Sequence, residues 1–385
     1  MIDKALTGSR RYWALVAGLG TLVVVGFVVY LRQLNEGLAI TGLSRDVTWG
    51  FYISQFTFLV GVAASAVMVV LPYYLHDYKA FGKVTVLGEF LAVAAVLMCM
   101  LFIVVDMGQP MRVLNMFRYP TPNSVMFWDA SVLMGYLLLN ITISWTALGA
   151  ERRGEHPPRW VKPLIYLSIP WAFSIHTVTA FLYNGLSGRP FWLTAILAPR
   201  FLASAFASGP ALLILLCLLL RRTTRFDAGR EAIQKLAQIM TYGMVASVFF
   251  VLLELFTVFY SQIPEHMHHF QYMFVGLEGH RFLVPFMWTS NALAVLALVL
   301  LLNPRARRRE GVLAVAAVAV FVSLWIEKGL GLVVTGFIPS PLEHVTEYRP
   351  TVPELLIGLG VYALGFLVLT VLYKVAVTVR ERLAA

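Results

Sequence analysis

Residues 244–260 read MVASVFFVLLELFTVFY, a run that is nearly all apolar or aromatic and carries a single charge, Glu254. A stretch of this kind predicts a membrane-spanning helix. An ionisable group at the centre of such a helix costs at least ~2.5–3.5 kcal/mol on insertion scales, so it faces a partner charge, a water-filled cavity or a substrate. Glu254 is therefore either a structural carboxylate paired inside a helix bundle or part of a site.

Composition sets the class. The 385 residues are 59% hydrophobic and 13% charged, with a mean hydropathy of +0.77, which is too apolar for an ordinary soluble domain. The formal charge of +10 would suit a nucleic-acid binder. The basic residues, however, recur in short clusters between apolar runs, which is the pattern of membrane topology, so the bilayer is the expected partner and nucleic acid is not. The two cysteines, Cys99 and Cys217, lie inside apolar runs and supply neither a disulfide framework nor a Cys-ligated cluster. Trp13 to Leu31 is long enough to span and has no small-residue cleavage pattern, so it reads as a first span.

Runs of about 20 apolar residues occur near residues 13–31, 50–75, 84–106, 126–149, 163–184, 201–220, 239–261, 282–302, 312–335 and 353–376. They predict an all-α polytopic membrane protein with about ten transmembrane helices, in one transmembrane domain covering residues 1–385. Of the 30 Lys and Arg residues, 21 fall on one alternate set of connections together with both tails, and nine fall on the other set. That bias puts both termini in the cytoplasm, in keeping with an even number of spans.

The two faces differ in more than charge. Basic connections such as ERRGEHPPRW (151–160) and NPRARRRE (303–310) are short, whereas those from Met107 to Val125, Gly185 to Arg200, Gln262 to Arg281 and Pro339 to Val352 are longer and rich in Pro, Gly, His and aromatics. Loops of that kind are expected to be structured, and the outer face is where a partner and the mouth of a site belong. At ~1.5 Å per residue from the basic ends of their spans, His176 lies roughly 18–20 Å in, Glu254 about 22 Å and Lys328 about 24 Å, against a hydrocarbon thickness of ~30 Å. All three share one slab of the outer leaflet, with Asp106 and Asp129 just above. Ionisable groups at tail depth that outside water can reach suit proton-coupled chemistry on a lipid-soluble molecule. Each has a plainer reading: His176 as a core histidine bonded to a carbonyl, Glu327–Lys328 as an internal ion pair, and Asp129 as a charge stabilising its helix N-terminus. Glu89, about 8 Å from the basic end of its helix, reads either as the start of an inner proton path or as a carboxylate satisfied by Lys83.

Paired histidines on facing helices, the usual ligands of a membrane haem, are missing from the pattern, because only His176 of the eight histidines lies well inside a span. The cluster EHMHHF (265–270) defines no coordination geometry by itself. The expectation is no haem, no iron–sulfur cluster and no obligatory metal in this chain, with electrons exchanged through a partner.

The run TWGFYISQFTFLVGVAASAVMV (48–69), then GEF (88–90), VDMGQP (105–110), NSVMFWDA (123–130), SIHTVTAF (174–181) and TVPELLIGLG (351–360), resembles the polysulfide-reductase NrfD family of quinone-interacting membrane subunits. Within it, residues 187–216 and 252–274 look closest to the DsrP branch, the membrane subunits of sulfite-reductase-associated complexes. The resemblance implies two four-helix bundles with peripheral helices, a menaquinone or ubiquinone site near the outer face, and no cofactor of the chain's own. It also implies an extracytoplasmic ferredoxin-like iron–sulfur subunit on the outer loops, a multihaem cytochrome c and other membrane subunits, a place in dissimilatory sulfur metabolism, and a bacterial inner membrane. The family's acidic positions match Asp106, Asp129 and Glu254, its histidine matches His176, its Trp-Gly pair matches Trp49 and Gly50, and its basic position in the ninth span looks like Lys328.

The function expected is that of a quinol oxidoreductase subunit that is not catalytic alone. Glu254 and His176 would take protons from the two ring oxygens, Asp106 and Asp129 would pass them outward, and Tyr183 and Trp49 would form the wall. A secondary transporter would also carry intramembrane Glu, Asp and His, with broken helices and inverted repeats besides. A passive anchor of a periplasmic redox complex would have little use for buried charge.

Overall fold

Inside lipid a long apolar run satisfies its backbone only as a helix. The computed structural model, which describes residues 5–384, accordingly places a helix on each of the ten predicted runs. They are α1 Arg10–Glu36, α2 Phe51–Leu75, α3 Thr85–Asp106, α4 Val125–Arg153, α5 Val161–Asn184, α6 Leu197–Thr223, α7 Arg230–Ser261, α8 Val284–Leu302, α9 Glu310–Thr335 and α10 Val352–Ala384. Among the described residues the one β pairing is an isolated bridge between Leu277 and His280. Lys4, counted in the charge bias, lies outside the described residues.

Neighbouring helices close into two rings. α2, α3, α4 and α5 form one four-helix bundle, and α6, α7, α8 and α9 form the other, joined where α2 meets α6 and α9 and where α5 meets α6. α1 and α10 pack on each other outside the rings, with α10 against α3. The α1–α10 contact depends on two glycines facing each other: a Cβ on Gly26 would stand 2.6 Å from Gly360 Cα. Removing both side chains lets the backbones approach closely, a common basis of helix association in lipid.

Two spans depart from regular α geometry, and both do so next to the bundle interface. α2 tightens at residues 64–66, where Ala64 N and Ser65 N donate to Gly61 O and Val62 O instead of one residue further back. The bend lies between Gly88 of α3 and Gly209 of α6, whose missing side chains leave room for Ser65. In α9, Trp325–Gly331 is a π-helix. Its Gly329 lies against Ser54 of α2, where a Cβ would be 3.2 Å from the Ser54 carbonyl oxygen. Such π segments insert a residue into a helix and re-aim the side chains around it, often at functional sites.

The loops on the face opposite the basic clusters are ordered, as their composition predicts. They contain helical turns at Pro110–Leu114, Asn115–Arg118 and Pro190–Trp192, and a surface helix at Pro264–Phe274. The chain before α2 is tied to the start of α10: Tyr348 Oη accepts from Phe51 N at 2.7 Å and donates to Glu354 at 2.7 Å, and Glu354 also accepts from Gly42 N and Thr351 N.

Replacing Gly360 by Leu forces α1 off α10. The expected outcome is a loss of ~1–3 kcal/mol of stability, in the range of overpacked sites, seen as a lower melting temperature of the purified protein, with the bundle helices still formed by circular dichroism.

Candidate functional site

On α5, His176, Thr179 and Tyr183 stand at spacings that share one helix face, and all three are buried. This stripe faces the other helices of its bundle. Thr179 Oγ1 lies 2.6 Å from Asp129 Oδ1 of α4 and 2.7 Å from Ile175 O. One hydroxyl hydrogen cannot fully serve two acceptors, so a proton on the Asp129 carboxyl, donated to Thr179, would complete the pair. Tyr183 Oη is hydrogen-bonded to Thr57 Oγ1 of α2, and Thr57 donates to Ile53 O at 2.7 Å. His176 is 1% exposed, and neither ring nitrogen has a partner.

Around Tyr183 stands a collar of rings. Trp49, Trp192 and Phe201 lie at centroid distances of 5.6, 5.0 and 6.1 Å from it, and Phe337 packs edge-on to Trp49 and Trp192 at 5.8 and 5.0 Å. Trp192 Nε1 donates to Leu332 O at 3.0 Å, which fixes the ring, and Arg189 covers Phe337 at 4.5 Å. Trp49 is the partly exposed member and so forms the rim.

Glu254 belongs to a second assembly. Arg200, in the first turn of α6, pairs through one guanidinium nitrogen with Glu254 of α7 and through another with Glu327 of α9. All three side chains are nearly buried. Sequence reading ended the preceding loop at Arg200; α6 begins at Leu197 instead, which carries the arginine into the bundle. Two carboxylates at one depth in apolar spans demand a cation, and that is the signal that points to Arg200. The reading of Glu327–Lys328 as an ion pair is corrected for the same reason, since Glu327 is bonded to Arg200. The π-helical turn sends Lys328 towards α2 and α6, where its Nζ lies 4.3 Å from the centroid of Phe201, with Phe201 O at 3.5 Å and Gly61 beside it. Phe201 also packs against Tyr183, so the cluster and the aromatic collar meet at this ring.

Asp106 ends α3 with Oδ1 buried and unpartnered, apart from the stripe. Glu89 forms no ion pair with Lys83; its Oε2 is buried without a partner. The histidines of EHMHHF diverge. His268 Nδ1 is 3.0 Å from Glu343, whereas His269 Nδ1 lies 2.9 Å from both Thr335 O and Ile338 O, beneath the surface helix. Among the described residues no three His, Cys, Asp or Glu side chains gather as metal ligands.

The family model described as polysulphide reductase, NrfD, matches residues 39–338. A putative membrane subunit of dimethyl sulfoxide reductase from Halobacterium salinarum is 28% identical over 91% of this chain and 88% of its own length. An Hdr-like menaquinol oxidoreductase integral membrane subunit of Archaeoglobus fulgidus is 23% identical over 97% of the chain and 95% of its length. A selenate reductase subunit from Mesobacillus selenatarsenatis is 24% identical over about half of each, 51% and 54%.

Breaking the buried bridge from the cation side leaves two carboxylates uncompensated. Arg200→Met is expected to cost ~3–5 kcal/mol, read as a loss of folded protein in the membrane, with recovery when Glu254→Gln and Glu327→Gln are added. His269 supplies a pH test. Burial pushes its imidazole down to about 4 against the pull of the two carbonyls, whereas the unfolded chain titrates near ~6.5. The unfolded state therefore binds more protons between these values, and stability falls as the pH is lowered from about 6.5 towards 4. Melting temperatures across that range are expected to show the fall, and His269→Gln to flatten it.

Proposed function

The chain belongs to the NrfD polysulphide reductase family, and we propose from that premise that it is the quinone-interacting membrane subunit of a respiratory oxidoreductase complex. Ten long apolar helices and the family membership make it a multi-pass integral membrane protein. The relatives whose names mention dimethyl sulfoxide reductase, selenate reductase and menaquinol oxidoreductase support a quinone-linked complex over a free-standing carrier.

The observation that carries the reading is His176. An imidazole with two unpartnered ring nitrogens, fully buried at tail depth, is costly unless something bonds to it. A menaquinol or ubiquinol offers what is missing: a flat ring to lie within the collar of Trp49, Trp192 and Phe337, and hydroxyl groups to meet polar atoms below. In this reading His176 accepts a proton from one ring oxygen and Tyr183, held by Thr57, orients the ring. Asp129, bonded to Thr179, holds a proton on the same stripe, and Asp106 lies on its way out. Glu254 acts through Arg200: by occupying the guanidinium together with Glu327 it leaves the Lys328 ammonium free to face the ring and His176. Quinol oxidation releases two protons and two electrons, and the electrons leave through a partner.

That partner, in our reading, is an extracytoplasmic ferredoxin-like iron–sulfur subunit on the face of residues 107–124, 185–196 and 262–283. A multihaem cytochrome c and further membrane subunits make up the rest of a complex of the DsrP type in sulfur metabolism. The basic face then lies in the cytoplasm of a bacterium whose inner membrane holds the chain. A transporter is the second reading, favoured by one feature, the adjoining irregularities of α2 and α9. The family membership and the unpartnered imidazole beneath an aromatic collar weigh towards quinone.

His176→Phe keeps the ring volume and removes both nitrogens. The expected outcome is at least roughly tenfold weaker binding of a quinone-site inhibitor, the equivalent of one lost hydrogen bond to a polar ligand, with the amount of folded protein in the membrane unchanged. Reduced folded protein with unchanged inhibitor affinity would make His176 a core residue and remove the observation on which the reading stands.

A further inference from the structure

On the basic face, the connection between α8 and α9 is built as a single helical turn. Asn303 Oδ1 accepts from Arg305 N and Ala306 N and so starts the turn, while Arg307 N and Arg308 N donate to Asn303 O and Pro304 O. Arg305 and Arg308, three residues apart, therefore share one side of it, with Arg309 beside them. All three are exposed. Arg307 goes the other way: its Nη1 lies 3.4 Å from Thr241 Oγ1 of α7 and 3.3 Å from Leu301 O of α8, and its own carbonyl accepts from Gln234 of α7. The turn is thus pinned to the end of the second bundle, and its outer side holds three guanidinium groups.

Several other cations of this face are matched. Lys79 pairs with Asp77, Arg153 with Glu155 and Arg380 with Glu151, and Arg221 takes Glu310, the carboxylate that follows the three arginines in sequence. Among the described residues the side chains of Arg305, Arg308 and Arg309 have no ion pair or hydrogen bond. Like charges three and four residues apart on one helical turn repel each other. A topology bias asks for positive charge on this face, not for three charges on one side of one turn. An anion with several acceptor oxygens removes the repulsion, because guanidinium groups bind such oxygens in pairs.

Depth and surroundings narrow the class of anion. Leu302 ends α8 and Glu310 begins α9, so the turn lies in the polar layer, ~5–8 Å deep, that separates hydrocarbon from bulk water. The phosphodiesters of a bilayer lie in the same layer. Towards the membrane, Val299 and Leu302 of α8 are 63% and 59% exposed, and Val315 and Val318 of α9 are 53% and 49% exposed. A soluble anion or an acidic protein would match the guanidinium groups and leave these side chains unused; an anionic phospholipid meets both.

We infer that the turn between α8 and α9 is a headgroup site for an anionic phospholipid, whose phosphodiester oxygens accept from Arg305, Arg308 and Arg309 and whose acyl chains lie against Val299, Leu302, Val315 and Val318. Such a site is independent of the quinone reading above.

The test is native mass spectrometry of the detergent-purified full chain, titrated with phosphatidylglycerol and with phosphatidylcholine of the same acyl chains. One phosphatidylglycerol is expected to bind at least roughly tenfold more tightly than phosphatidylcholine. The triple variant R305Q/R308Q/R309Q is expected to lose that preference, and R152Q/R153Q/R159Q, which removes as many charges from another basic connection, to keep it. Arg308→Gln alone, a single exposed change that leaves the turn foldable, is expected to weaken phosphatidylglycerol binding roughly fivefold. No preference in the unmodified chain overturns the inference, as does an equal loss in both triple variants, which would make the attraction a property of the whole basic face. Displacement of the lipid by inorganic phosphate, where chloride of equal ionic strength leaves it bound, assigns the turn to a soluble anion and overturns the inference too.

Discussion

A guanidinium keeps its charge in any protein environment, so an arginine inside a membrane bundle dictates what surrounds it. Arg200 answers that demand with a carboxylate from each of two other helices, Glu254 and Glu327. The bridge joins α6, α7 and α9 at one depth, and much else follows from it. It holds the second bundle together where apolar packing alone has no advantage over lipid. It also consumes both carboxylates, so that Lys328, the neighbour of Glu327 in sequence, is left facing the other bundle. The π-helical turn of α9 is the geometric counterpart: successive residues that would point to adjoining positions on a regular helix are directed to two different assemblies.

The bundle interface is thus the place where regular structure gives way. α2 tightens between two glycines that let it touch α3 and α6 almost backbone to backbone, and Gly329 of α9 admits the π segment beside α2. In a membrane, irregular backbone is tolerated where it is buried in protein or lines a cavity, and not where it meets lipid. Both irregularities satisfy that rule. Lys328 beside Gly61 and Cys99, whose thiol donates to Phe56 O, both reach this one helix, which itself carries Gln55 and Thr57.

Length and hydropathy sufficed to read all ten spans, because a span is defined by its solvent: about 20 apolar residues cross and fewer do not. His176, Asp129, Tyr183 and Trp49 were legible as candidates by motif and depth, and the structure brings these four together on and around the α5 stripe. The pairing of charges was not legible. A helix start displaced by four residues moved Arg200 from an assigned loop into the core, where it pairs with Glu254, the first of the two readings open for that carboxylate. Hydropathy cannot register such a shift, since the first turn of a span looks the same as the end of a loop. Gln55 was invisible for a related reason: its two donors come from α9 and α10, some 270 and 307 positions away, and only the packing of three helices shows that its nitrogen is left over.

Separation of charges and orphaned donors has a mechanistic consequence. Groups that are fully satisfied by the protein, such as Glu254 and Glu327 on Arg200 or Glu354 on Tyr348 and two backbone amides, cannot give up a partner without a buried penalty, and they hold shape. The buried groups without a partner are arranged differently: His176 stands on α5, Asp106 at the end of α3 and Gln55 on α2, each on a helix of the first bundle. The residues that hold shape and the residues left open to a ligand are therefore different ones.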